Sequence, residues 1–387
     1  RPHLLDAVID PAFGTQFGDV ATLEKRLSEA VGEPELLEDM LDRLREAGQH
    51  EIFLVGARML SGSLSPALAG QAYADVAEAI IRVALHDVTR RFEAEYGTVP
   101  GGRLCVVGMG RLGSREMTAT SDLDLVVLYD FNDDQADSIG GTRSLAATTY
   151  YTRLTQRLIS ALTVPTRKGT LYEVDMRLRP SGNKGPAATQ WKGFRAYQAE
   201  EAETWEAMAL TRARPLAGNK DFVAAVTAEL HAILTRKRDA AKVKDDARTM
   251  RALIAQEKGD DDPWDLKLAK GGLMDIEFIA QVLVLTGAAS HPEVAVTSTP
   301  EIIARARKAG LIGENEGETL ESAYGLMRDV FQWQRLTFGA DFNPDQTGIA
   351  LRTRLAQAAV LMARFELTLL AALGFGLDLD CCALTGA

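Results

Sequence analysis

The stretch Gly108 to Tyr129, GMGRLGSREMTATSDLDLVVLY, decides how this chain reads, because it joins two short apolar runs, Leu104–Val107 and Leu123–Tyr129, through a glycine-rich turn. Gly108, Gly110 and Gly113 satisfy the G-x-G-x-x-G spacing after a strand, with Asp130 downstream, and so imitate a dinucleotide-binding fingerprint. The distance to the next strand argues against that fold. Gly108 to Asp122 leaves room for a helix of about two turns, whereas a parallel crossover needs a dozen or more residues and a full helix. The glycines still suit a tight turn whose backbone N–H groups can approach phosphates.

The second feature is Ser121-Asp122-Leu123-Asp124 at the opening of a strand. Residues two apart on a strand share a face, so Asp122 and Asp124 stand side by side. By itself the pair reads equally as an acidic strand end in water or as hard oxygen ligands for Mg²⁺ beside a phosphate site. The run Leu171–Leu178 (LYEVDMRL) tips the balance. From Glu173 onward it alternates, with Val174, Met176 and Leu178 on one face and Glu173, Asp175, Arg177 and Arg179 on the other. Asp175 can complete a metal cluster or accept a proton, and Arg177 and Arg179 can bind triphosphate oxygens with a well-shaped guanidinium fork.

Outward from this centre the chain is helical. Glu35–Leu60 is apolar-periodic, and Ser65-Pro66 is a cap and first turn for a helix reaching Tyr96, with Val76, Ile80, Val83 and Phe92 as its stripe. A helix is expected over Tyr150–Leu162, and a longer one over Phe194–Arg214 with Trp205, Met208, Ala209 and Arg212 on one face, stopped by Pro215 and Gly218. Trp205 and Met208 read as core. The remainder is nearly all helical, interrupted by the acidic Asp260-Asp261-Asp262-Pro263, which reads as a solvated loop. Three segments follow: 1–98 helical, 99–218 mixed and catalytic, 219–387 helical.

With 387 residues, 46% hydrophobic and 25% charged, the chain has a globular composition with room for more than one core. A net charge of −11 makes an extended nucleic acid a poor partner, although a small nucleotide can be neutralised locally. No apolar run is long enough to span a membrane and the sequence does not open on a basic, apolar, small-residue leader, so a cytoplasmic location is expected; the missing initial methionine hints at a piece of something longer. Cys105, Cys381 and Cys382 form neither a disulfide framework nor zinc spacing. His3, His50, His86, His231 and His291 stand alone, and no G-x-S-x-G, C-x-x-C or G-x-x-x-x-G-K-[ST] occurs.

GMGRLGSREMTATSDLDLVVLYD resembles the core motif of glutamine synthetase adenylyltransferases, in the polymerase-β-like nucleotidyltransferase superfamily. The resemblance continues through YEVDMRLRPSGNKGP at Tyr172–Pro186, AETWEAMALTRARPLAG at Ala202–Gly218 and DLKLAKGGLMDIEFIAQ at Asp265–Gln281, and more loosely to Ala350. It implies an α+β fold: a polymerase-β-like core, a small mixed sheet with helices, flanked by an N-terminal helical segment and a C-terminal helical bundle. The family's enzymes carry two such halves, one attaching AMP to a tyrosine of glutamine synthetase to regulate nitrogen assimilation, the other removing it by phosphorolysis to ADP. TWEAMALTRAR and GGLMDIEF resemble the attaching half.

By that resemblance Asp122, Asp124 and Asp175 are the catalytic and metal-binding acids, with two Mg²⁺ ions and ATP as substrate. Gly110, Arg111, Gly113, Ser114, Ser121, Arg177, Arg179, Glu206, Arg212 and Arg214 fall on substrate- or phosphate-binding positions. Arg111 stands where lysine is usual and Ser114 where a second glycine is common. Glutamine synthetase is the implied protein substrate, and the PII signal protein the implied regulator of the longer enzyme. Gly271-Gly272 can start a helix whose Phe278, Ile279 and Val282 face a core, while Lys267, Lys270, Asp275 and Glu277 can equally dock the protein substrate. A non-catalytic nucleotide- or PII-binding module is the alternative of another class, and it should lack one of the three acids.

Overall fold

A computed structural model describes residues 17–132, 136–262 and 264–339, together with 353, 354, 356 and 357. Arg1, His3, Pro263, Cys381 and Cys382 lie outside the described residues, as does the segment 374–387. Chain contacts divide into two compact units, Arg1–Ala202 with Arg212–His231, and Glu203–Thr211 with Ala232–Ala387.

The first unit begins with three helices: α1 (Val20–Val31), α2 (Leu37–Leu60) and α3 (Pro66–Tyr96). Asp19 caps α1 by accepting from Thr22 N, and Ser65 caps α3 by accepting from Leu68 N ahead of Pro66 at the first turn. The expected stripe of Val76, Ile80, Val83 and Phe92 is buried. Then come β1 (Gly97–Thr98), β2 (Arg103–Gly108), the single-turn α4 (Gly110–Ser114), β3 (Leu123–Asp130), β4 (Ile139–Gly140) and α5 (Ala147–Thr163). They are followed by β5 (Val174–Asp175), β6 (Ala188–Gln190) and α6 (Trp191–Glu200). Next along the chain are α7 (Thr204–Leu210), which belongs to the second unit, then β7 (Arg214–Gly218) and α8 (Lys220–Leu234).

The main sheet runs β5-β3-β2-β7, with β6 also on β3. β2 lies antiparallel to β3, Gly108 opposite Leu125, so the chain doubles straight back after the glycine turn and no parallel crossover forms between them. The other edge of β3 is shared: β5 pairs with its start and β6 with Val127–Tyr129, both parallel. Leu125, Val126, Val127 and Leu128 are all buried, as a strand covered on both faces requires. Pro215 sits in edge strand β7 at a register shift opposite Val106 and Val107, where its missing N–H is tolerated.

Two expectations about elements are corrected. The strand over 171–178 contracts to Val174–Asp175, because β6 already occupies the rest of that edge of β3 and because Asp175 Oδ1 accepts from Arg177 N at 2.8 Å, turning the chain out of the ladder. The helix over 194–214 breaks into α6 and α7, and its last part becomes β7. Glu203 and Glu206 form a reciprocal capping box that starts α7 afresh. Met208 is buried as expected, but Trp205 is 36% exposed.

The second unit holds α7 with α9 (Ala240–Lys258), α10 (Leu273–Gly287), α11 (Thr299–Lys308) and α12 (Glu314–Phe338). Gly272 caps α10, and Ile279 and Val282 are buried, as the helix-start reading expects, whereas Phe278 is only partly covered. Asp275 and Glu277 are buried too. Asp275 accepts from Arg251 Nε and from Gly271 N, so its carboxylate is an internal anchor rather than a docking group. Asp261 and Asp262 are exposed as expected, whereas Asp260 is largely covered and pairs with Arg251 at 3.5 Å. Among the described residues no helix is long and apolar enough to cross a membrane.

Candidate active site

Asp122 ends the loop before β3, Asp124 is the second residue of β3, and Asp175 lies directly across in β5 through the register pair Asp124↔Asp175. Leu123 N donates to Glu173 O at 2.9 Å, which locks the start of this pairing. One carboxylate oxygen from each acid lies within 4.8 Å of the others, with Asp122 exposed and the other two partly covered. Three like charges so close call for a cation, and an all-oxygen donor set of this size fits a hard divalent ion.

The turn α4 leans on this cluster. Gly110 has φ +52°, and a Cβ there would lie 2.1 Å from Asp124 Oδ2, so any other residue would be strained and would push that carboxylate aside. Gly113 is pressed against the Arg212 carbonyl, where a Cβ would sit 1.7 Å away. Gly113 N closes the turn on Met109 O, and Met109 N donates to Asp124 O at 2.8 Å. At the first positions of such a turn the backbone N–H groups have no intrahelical partner.

The remaining expected residues fall into two groups. Arg177 stays with the acids: its Nε and Nη2 donate to Asp175 Oδ2 at 2.7 and 2.5 Å, while its side chain is 72% exposed. Burial would raise the Asp175 carboxyl, but the Arg177 hydrogen bonds and charge, with Arg179 adding to them, hold it below the usual carboxylate range. Asp175, and more weakly Asp124 and Asp122, in turn hold the Arg177 guanidinium more firmly charged. Arg179 is not on a strand face with Asp175; it donates to Met176 O and Gly185 O and braces the loop after β5.

Other side chains are bonded within the protein. Ser121 Oγ accepts from Thr118 N, shaping the loop before Asp122. Ser114 is buried and its Oγ accepts from Arg212 Nη2 at 2.9 Å; Arg212 also meets Glu116 at 3.4 Å. Arg214 donates to Gly113 O, Leu112 O and the buried Glu78 on α3. Arg111 lies half-buried in α4. Glu206 belongs to the second unit, where it accepts from Glu203 N at 2.9 Å. Asp75, Glu78, Arg115 and Glu116 escape sequence reasoning. Their only signal is that buried charges need partners, which no spacing rule pairs across α3 and α4.

A cavity of about 770 Å³ opens elsewhere in the first unit, lined by Arg82, His86, Arg103, Tyr151, Asn219 and Lys220 among others. It adjoins Arg103 and Gly218, at the end of β2 and β7 remote from Gly108. Arg82 pairs with Glu24 and Glu78, and Arg103 with Asp130, so most of its positive charge is already neutralised.

Residues 1–251 match the family model described as glutamate-ammonia ligase adenylyltransferase, and residues 248–337 match that of GlnD PII-uridylyltransferase. Among similar proteins is the bifunctional glutamine synthetase adenylyltransferase/adenylyl-removing enzyme of Rhodopseudomonas palustris, 47% identical over 90% of this chain and 35% of that protein. Proteins of the same name from Bradyrhizobium diazoefficiens, 45% identical over 92% of this chain and 36% of that protein, and Mesorhizobium japonicum, 48% identical over 89% and 35%, are comparably close. The chain thus spans roughly a third of the length of the curated relatives it matches.

Proposed function

The chain belongs to the glutamate-ammonia ligase adenylyltransferase family, and from that premise we propose that it transfers AMP from ATP to a tyrosine hydroxyl of glutamine synthetase, releasing pyrophosphate. The observation that carries the reading is the juxtaposition of Asp122, Asp124 and Asp175 beside the glycine turn. A degenerate, purely binding module would have no reason to keep three carboxylates crowded together.

In this reading Asp122, Asp124 and Asp175 hold divalent cations, Mg²⁺ and two of them, which supply charge neutralisation on the phosphates and lower the proton affinity of the attacking hydroxyl. Asp124 fixes its carboxylate through the β3 register and the wall formed by Gly110. In this reading the backbone N–H groups that open α4, where Gly110 abuts Asp124, contact phosphate oxygens. Arg177 stands at the rim with a mostly exposed guanidinium, placed to move from Asp175 onto the leaving phosphates. Arg212, Arg214 and Ser114 support the turn from behind. The match of residues 248–337 to a PII-uridylyltransferase model supports assigning the helices from α9 to α12 to contact with the PII signal protein in the longer enzyme.

The test is mass spectrometry of glutamine synthetase after incubation with this chain, Mg²⁺ and ATP. One tyrosine carrying AMP is expected. Release of ADP from adenylylated glutamine synthetase and phosphate, without attachment, would assign the reverse, adenylyl-removing reaction instead. Formation of neither product would overturn the proposal.

A further inference from the structure

The turn α4 is too short to hold its own shape, since one helical turn is an unfavourable nucleus. It is also bracketed by left-handed backbone at both ends, Gly110 at φ +52° and Arg115 at φ +61°. Glycine adopts that conformation freely and arginine does not, so Arg115 must be held there by its surroundings. Its backbone closes the end of the turn, with Arg115 N donating to Leu112 O at 3.3 Å and Glu116 N to Arg111 O at 2.9 Å, and its side chain is tied to α3, Arg115 Nη2 donating to both carboxylate oxygens of Asp75 at 2.5 and 2.7 Å. Asp75 is 8% exposed. Burial pushes its carboxyl up against the pull of Arg115, and neighbouring Glu78 adds to the rise. An apolar residue would pack at this position on α3 without that cost, so the pair is there for geometry more than for stability.

The geometry is that of the active site. Between its bracketing residues the turn has no slack, because Gly110 abuts the Asp124 carboxylate and Gly113 abuts the Arg212 carbonyl. We propose that Asp75 is a positioning residue for the nucleotide: by gripping Arg115 it sets the strained end of α4, and so the placement of the turn against Asp124.

The inference rests on the nucleotidyl-transfer reading above, and calorimetric titration of the chain with Mg-ATP separates the two. Asp75→Asn and Arg115→Gln should each weaken Mg-ATP binding about tenfold with the number of sites per chain unchanged, the size of one lost charge-assisted pair. The double variant should be no weaker than either single one, because both remove the same interaction. A role confined to folding would lower the number of competent sites and leave Kd alone. Arg115, with its side chain 42% exposed, keeps the test open if the Asp75 variant does not fold. Unchanged Kd in the variants, or losses that add in the double, would overturn the role of Asp75. Failure of the unaltered chain to bind Mg-ATP would overturn the reading of the site and the inference together.

Discussion

Asp122, just ahead of β3, and Asp124 within it stand two residues apart, and the register pair Asp124↔Asp175 adds the third acid from a strand that is only two residues long. That economy makes each carboxylate costly to lose. Asp124→Asn should reduce incorporation of radiolabelled AMP into glutamine synthetase by about 10²-fold or more, with the melting temperature little changed. Near-normal incorporation would remove Asp124 from the site. These acids are legible in the sequence because a spacing of two on a strand fixes a common face. The duties of Ser114, Arg212 and Arg214 are not. Arg214 finds its acid at Glu78, 136 positions away, and Arg212 reaches Ser114 across 98.

At the scale of elements, the helices of the first hundred residues follow from periodicity and from the Ser65-Pro66 start, which act locally. The broken helix over 194–214 does not, because its residues all accept a helical period. What divides it is the capping box at Glu203 and Glu206, and the pairing of Arg214–Gly218 with β2. Glu206→Ala should therefore cost about 1 kcal/mol in urea unfolding, the size of a lost cap, whereas Glu206→Gln should preserve the melt because glutamine serves the same box. AMP transfer lost in Glu206→Gln with its melt intact would mean that Glu206 touches the substrate instead. The strand over 171–178 misleads for a comparable reason. Its alternation is real, but β6 had already taken the edge of β3 it would have used.

Over the whole molecule, charges buried between helices set the pH response. Glu51 on α2 is buried, which raises its carboxyl above the ordinary 4.5, against the pull of Arg26, whose Nη2 donates to it at 2.9 Å, and of His50 and Arg58. The folded form therefore binds more protons than the unfolded one as pH rises through that window. Stability from this group is complete below 4.5 and declines above it. Relative to the unaltered chain, Glu51→Gln should gain in melting temperature as pH is raised from 4.5 towards neutrality. A difference that stays flat with pH would show that Glu51 titrates normally.

The sequence by itself determined the glycine turn, the paired aspartates and the helical surroundings, because spacing along one element settles which residues share a face, and it offered Asp175 as a candidate that the β3–β5 register then brings beside them. Only the tertiary structure decided that Arg179 leaves the site for Gly185 O, that Arg212 and Arg214 brace the turn, and that Asp75 grips a left-handed Arg115. Those are choices of partner. A guanidinium or a carboxylate bonds whatever opposite charge the fold brings within about 3 Å, and that is a property of the packing of α3 on α4 and β7, which no local spacing encodes.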